Sequence, residues 1–409
     1  MSSSLPPTAA DALLPPSYGL DTRLIRSGLT RSEHGETSEA IFLTSGFVYE
    51  SAEAAERRFT GEDPGYVYSR YGNPTVSMFE QRLAAVEGAE GCFGMASGMA
   101  AVFASLACQV QSGDRIVAAR ALFGSCHHIL TKILPKWGVE CVLIDGADLE
   151  AWRVALAPGA KVVFFESPSN PTLELIDIEA VCKLAHAAGA RVVIDNVFAT
   201  PLLQRPIALG CDIVVYSATK HIDGQGRCMG GAVLSTNQFL SDELMPFHRH
   251  TGPALSPFNA WVLVKGLETL SLRVNRSCES AAKVAQRLYG APGIQRLLYP
   301  HHHSHPQYEL AKRQMSQGGT LVTFSLVGGK PSAFKFLNAL QLIDISNNLG
   351  DSKSLITHPW TTTHRAMPEP DRLSVGIDDG LVRLSVGLED AADLIADIEK
   401  GLAAITQTL

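Results

Sequence analysis

Between about residues 90 and 235, short continuous apolar runs alternate with helical stretches. No other feature of the chain limits its fold as strongly. Arg115–Ala119, Cys141–Ile144, Val162–Phe165, Val192–Ile194 and Ile213–Tyr216 read as strands. Their apolar residues do not alternate with polar ones, which is expected of strands covered on both faces in a mostly parallel sheet. Met95–Val110 reads as a buried helix, and Ile178–Ala188 as an amphipathic helix stopped by Gly189. Strand, helix and strand at this spacing imply right-handed crossover units and an α/β fold, with ligands at the carboxyl ends of the strands. Asn259–Val284 reads as a long helix leading to a different text, in which Thr320–Leu326, Ile343–Ile345 and Leu381–Val386 are strands and Pro331–Ala339 a helix, a smaller α+β domain.

Composition removes several classes. With 46% hydrophobic residues and 18% charged, the chain has too much apolar surface to remain disordered. The charged share is below the roughly 25% usual for soluble domains, which points to a large interior or to surface covered by other copies. A net charge of -7 without a basic block disfavours nucleic acid as a partner. No apolar run is long enough to span a bilayer, and Met1–Pro16 lacks the features of a signal peptide, so the expected location is cytoplasmic. The eight cysteines contain no CxxC pair and are expected as free thiols. His301, His302, His303 and His305 follow Pro300 and read as a solvated loop, so no metal is expected.

Asp195 closes one strand, and Lys220 follows another through Ser217, Ala218 and Thr219, so both emerge at strand C-termini. An arbitrary Asp and Lys placed in this way are more often a buried ion pair. Their neighbourhood favours chemistry instead. Two hydroxyls flank the lysine, and Ser97-Gly98-Met99-Ala100 opens a buried helix whose free N–H groups form an anion site. A phosphate site, a lysine able to lose its proton when desolvated and an opposing acid together suit pyridoxal phosphate. That cofactor needs an amine for its aldehyde, a carboxylate for its ring nitrogen and donors for its phosphate.

The ordered segments Tyr68-Ser69-Arg70-Tyr71-Gly72-Asn73-Pro74-Thr75, Ser97-Gly98-Met99-Ala100, Glu166-Ser167-Pro168-Ser169-Asn170-Pro171, Asp195-Asn196 and Ser217-Ala218-Thr219-Lys220 resemble the Cys/Met-metabolism family of pyridoxal-phosphate enzymes. The likeness continues through Leu349-Gly350, Ser354-Leu355-Ile356-Thr357-His358-Pro359 and Arg383-Leu384-Ser385-Val386-Gly387. It implies a fold of the aspartate-aminotransferase type: an N-terminal arm (1–70) reaching a neighbouring subunit, a large cofactor-binding domain (71–270) and a small C-terminal domain (271–409). It further implies that Lys220 bonds the cofactor aldehyde and carries protons, and that Asp195 pairs with the ring nitrogen. Phe123 would stack on the ring, and Gly98, Met99, Ser217 and Thr219 would hold the phosphate. Tyr68 and Arg70 would come from the neighbouring subunit of a homo-oligomer, expected to be a tetramer built as a dimer of dimers. Arg383 would grip the substrate α-carboxylate with Asn170 and Ser354; read alone, Arg383 would be a surface salt bridge.

Two departures narrow the likeness. Phe123 stands where many members stack a tyrosine, and His221-Ile222-Asp223-Gly224-Gln225-Gly226-Arg227-Cys228 replaces the approximate GGHSD that follows the lysine in lyases and many synthases. Both resemble the O-succinylhomoserine sulfhydrylase branch. The implied reaction is γ-replacement, in which O-succinyl-L-homoserine and sulfide give L-homocysteine and succinate in methionine biosynthesis. The alternatives are a cystathionine γ-synthase using cysteine, a methionine γ-lyase, or a catalytically silent cofactor-binding scaffold.

Overall fold

The computed structural model describes residues 14 and 17–406. The first arm residues, 1–13 with 15 and 16, lie outside the described residues. Seven strands form the larger sheet: β1 (Gly91–Met95), β2 (Arg115–Ala119), β3 (Glu140–Ile144), β4 (Val162–Glu166), β5 (Arg191–Asp195), β6 (Ile213–Ser217) and β7 (Gly231–Ser235). Their spatial order is β1-β7-β6-β5-β4-β2-β3. β7 runs antiparallel to both its neighbours, and the other pairings are parallel. Successive side chains enter opposite cores: Val163 and Phe165 of β4 join one cluster, Val162 and Phe164 the other. All four are fully buried, which is why the run contains no polar alternation.

The expected strands are present within a residue or so. Met95 does not begin a helix; it ends β1, and the helix starts at Gly98 and ends at Ala107. Ser97 separates the two, its side chain accepting the Ala100 N–H at 3.1 Å as an N-cap. The Asn259–Val284 helix is two helices, Pro257–Glu268 and Leu270–Leu288. At the junction the Gly266 carbonyl accepts from Arg273 Nη2 at 2.7 Å, so it is satisfied without the helical ladder. Arg273 Nη1 also donates to the carbonyl of His221 at 2.7 Å, tying this break to the segment beside Lys220.

The second helix bridges both halves of the molecule. Its Leu270, Val274 and Cys278 pack on the first core, and its Ala281, Val284 and Leu288 on the core of a smaller sheet. That sheet contains β8 (Ile294–Leu298), β9 (Leu321–Leu326), β10 (Asp344–Ile345), β11 (Leu355–Thr357) and β12 (Leu381–Ser385), in the order β10-β11-β12-β9-β8. A helix at Gly329–Ala339 covers it. The fold is thus α/β with a smaller α+β part. Among the described residues no helix is long and apolar enough to cross a membrane, and all eight cysteines are free thiols.

The histidine loop differs from expectation. His302 and His305 are buried, and His305 Nε2 lies 3.2 Å from the Leu173 carbonyl. His305 thus ties the loop to the larger half, while His302 Nδ1 bonds Ser304 within the loop itself.

Candidate active site

Parallel register sets the site. Glu166 pairs with Asp195, and Asp195 with Val215, so β4 and β5 end at one level and β6 runs two residues further, to Ser217. A cavity of about 270 Å³ opens there. It is lined by Gly98, Met99, Phe123, Asn170, Asp195, Ser217, Thr219, Lys220 and Arg383. Residues from two sheets and from the start of one helix therefore meet in one place. Gly98 is so close to β6 that a Cβ on it would stand 2.5 Å from the Ser217 Cβ. As the first residues of a helix, Gly98 and Met99 have N–H groups without an intrahelical acceptor.

Lys220 Nζ donates to Asn348 Oδ1 at 2.5 Å. Burial, and secondly the charge of Arg383, pull its pKa down to about 8. Asp195 accepts the Val197 N–H at 3.0 Å, while burial pushes its carboxyl upward. Glu166 lies beside it, its oxygens accepting the N–H groups of Phe123 at 2.7 Å and Asn170 at 3.4 Å. Burial, and secondly the Asp195 charge, raise the Glu166 carboxyl. Cys126, Glu166 and Asp195 form a close cluster whose ligand atoms lie within 4.8 Å of one another.

Arg383 is 1% exposed, and no carboxylate lies within ion-pair distance of it among the described residues. Nη1 donates to Asn170 Oδ1 at 2.7 Å, Nη2 donates to the Asn347 carbonyl at 3.0 Å, and buried Nε has no acceptor. A buried cation without a counter-ion costs several kcal/mol. Such an arrangement suits an anion that arrives with a ligand.

One residue expected in this cavity lies elsewhere, and two expected to serve a neighbouring copy lie outside it. Ser354 is fully buried, its Oγ donating to Glu389 Oε2 at 2.8 Å and accepting the Gly387 N–H at 2.9 Å. It does not line the cavity. Asn348, from the loop between β10 and β11, links the lysine and the arginine from behind the lining, bonding Lys220 by its side chain and facing Arg383 Nη2 with its carbonyl at 3.5 Å. Tyr68 and Arg70 are also absent from the lining. Arg70 lies over the Tyr71 ring at 4.8 Å and donates to the Arg249 carbonyl, and Tyr68 is 42% exposed.

Residues 21–403 match the family described as Cys/Met metabolism PLP-dependent enzyme. The chain belongs to that family. Within the family it is 58% identical over 394 residues to O-succinylhomoserine sulfhydrylase of Mycobacterium tuberculosis (strain ATCC 25618 / H37Rv), covering 95% of this chain and 97% of the relative. The Pseudomonas aeruginosa O-succinylhomoserine sulfhydrylase is 47% identical, with 94% and 95% covered. Among solved structures, an O-acetylhomoserine (thiol)-lyase from Campylobacter jejuni, which carries N'-pyridoxyl-lysine-5'-monophosphate, superposes with a TM-score of 0.90. It is 31% identical, with 94% of this chain and all of that one covered. The family's cofactor fits the residues present: a depressed lysine, an acid at the same sheet edge and a cradle of backbone donors too tight for a side chain at Gly98.

Proposed function

We propose that the chain catalyses γ-replacement on O-succinyl-L-homoserine, with sulfide as nucleophile and homocysteine and succinate as products. The observation that carries this reading is the convergence of Lys220, Asp195 and a buried Arg383 without a counter-ion in one cavity. The names of the two sulfhydrylase relatives support the choice of substrate and nucleophile.

In this reading Gly98, Met99, Ser217 and Thr219 hold the phosphate, Phe123 lies on the ring and Asp195 faces its nitrogen. Bound pyridoxal phosphate supplies an electron sink that lets hydrogens leave the substrate's α and β carbons as protons. Arg383 clasps the α-carboxylate by two N–H groups, and Asn170 holds the guanidinium in place through the 2.7 Å bond. Lys220 Nζ takes the α-proton, for which a pKa near 8 suits a base working close to neutrality. The same nitrogen returns protons once sulfide has replaced succinate at the γ carbon. Succinate leaves as a carboxylate and needs no strong acid, so Phe123 can stand where a phenol would otherwise serve. Asn348 keeps the lysine directed into the cavity before the cofactor is bound.

Tyr68 and Arg70 complete the phosphate site of a neighbouring copy, within a dimer that pairs into a tetramer. Their absence from this chain's own cavity supports that arrangement. The cytoplasm is the compartment where such an enzyme would meet its substrate. The test is product analysis with O-succinylhomoserine offered sulfide, cysteine or no nucleophile. Homocysteine with sulfide is expected; cystathionine as the preferred product would favour a synthase, and ketobutyrate despite sulfide a lyase. Borohydride should fix the cofactor to Lys220, and its failure to do so would overturn the enzyme reading.

A further inference from the structure

The substrate of the proposed reaction carries two carboxylates, and the cavity described above accounts for one. Its side-chain cations are Lys220, which the cofactor occupies, and Arg383, which takes the α-carboxylate. Much of the remaining wall is apolar, with Met99, Phe123, Val197, Phe198, Met229 and Leu349. A succinyl carboxylate left against that wall would be desolvated without a partner.

A second cavity of about 910 Å³ adjoins the first. Thr363 lines both, while the consecutive residues Phe123 and Gly124 face the first and second respectively, so the two cavities share a wall. Gly124 packs against the Thr363 carbonyl oxygen, which a Cβ would meet at 2.8 Å, so the wall is closed at that point and an ester would have to pass beside it. Arg120, His127, His128, Lys132 and His364 lie on the far side, with Asp371 as the acid among the lining residues. His128 and Lys132 are four residues apart on one helical run and therefore share a face. Among the described residues no carboxylate lies within ion-pair distance of Lys132, whereas Arg120 contacts Asp145 at 2.5 Å. His364 is 1% exposed, and its Nε2 has no hydrogen-bond partner.

We infer that this second cavity receives the distal carboxylate of the succinyl ester, held by Lys132 and Arg120 with His128 as a further donor. The assignment rests on the proposed reaction. It makes Lys132 a specificity residue: an acetyl ester ends in a methyl group and gains nothing there, whereas a succinyl ester spans the partition through two methylenes and places its charge among the cations. Free succinate, the leaving product, should occupy the same place.

Two measurements on the holoenzyme test this. In the first, the ratio of kcat/KM for O-succinyl- over O-acetylhomoserine is compared between the wild-type protein and Lys132→Met, Arg120→Gln and Lys132→Arg. Loss of one charge-assisted contact should lower the ratio by about tenfold or more, and Lys132→Arg should restore most of it. A ratio unchanged in both Lys132→Met and Arg120→Gln, or both esters falling by the same factor, overturns the assignment. In the second, succinate and acetate are titrated into wild-type and Lys132→Met holoenzyme by calorimetry. Tighter binding of succinate, lost in the variant, is expected; equal binding of the two anions overturns it. If neither ester supports sulfide incorporation, the proposed reaction has failed, and the succinate titration still decides the cavity.

Discussion

Glu166 and Asp195 stand opposite each other at the ends of neighbouring parallel strands, in register and both facing the lysine cavity. Two carboxyls this close in a buried place cannot both ionise easily, and burial pushes both upward. Asp195 is the acid that would face the cofactor ring, so Glu166 is the one that keeps its proton. A carboxyl whose native pKa lies above its ordinary 4.5 contributes stability that is complete below that value and is lost as pH rises through the native value. Glu166→Gln removes this loss. The denaturant midpoint of the apoprotein should therefore favour the Gln variant increasingly between about pH 5 and about pH 8. A difference that stays flat with pH would mean that Glu166 is ionised throughout.

Arg383→Lys keeps the charge but loses the planar fork. With Asn170 and the Asn347 carbonyl already arranged around a guanidinium, an ammonium satisfies fewer of these bonds. KM for the amino-acid substrate should rise by about tenfold to a hundredfold, with a smaller change in kcat. Steady-state kinetics at saturating sulfide checks this, and near-wild-type KM would place the α-carboxylate elsewhere.

Ser354 and Asn348 separate structure from substrate contact. Ser354→Ala strips a buried hydroxyl from Glu389 and from the Gly387 N–H, and should cost about 1–3 kcal/mol of stability while leaving KM near wild type. Asn348→Ala removes the acceptor from Lys220 Nζ, so the lysine, already lowered to about 8, should titrate lower still. The pH dependence of the rate at which the apoprotein takes up the cofactor follows the second change, because only the neutral amine bonds the aldehyde, and denaturant unfolding follows the first.

Arg70 lies outside the cavity of its own chain. If it serves a neighbour, Arg70→Ala and Lys220→Ala proteins, each nearly inactive, should regain up to about a quarter of wild-type activity when unfolded together and reassembled, because some mixed pairs then hold one intact site. No recovery would show that each chain closes its own site.

Much of this molecule is legible before any coordinates exist, because its strands are covered on both faces. A strand such as Val162–Glu166 must be apolar at every position, and such runs stand out locally. Lys220 and Asp195 follow from the same rule, since residues just past parallel strands share one edge. The sequence likewise contains the Ser97 cap and the glycine after it, both local signals.

Strand partners and loop returns lie outside any local window. β1 and β7 stand out less, because Gly91–Met95 carries two glycines, Gly231–Ser235 opens on one, and their pairing joins segments far apart in the chain. Glu166 owes its raised carboxyl first to burial and then to its register with Asp195, which lies 29 positions along the chain. Ser354 reads as a plausible substrate contact until Glu389 is seen to hold its hydroxyl. Asn348 does not stand out as the partner of the lysine until the loop after β10 reaches Lys220. The sequence by itself determined the sheet and the kinds of group at its edge, because burial on two faces marks every residue of a strand. Which groups meet was decided by tertiary structure alone, because the distances that lower a lysine or strand an arginine without a counter-ion arise only when the two sheets close on each other.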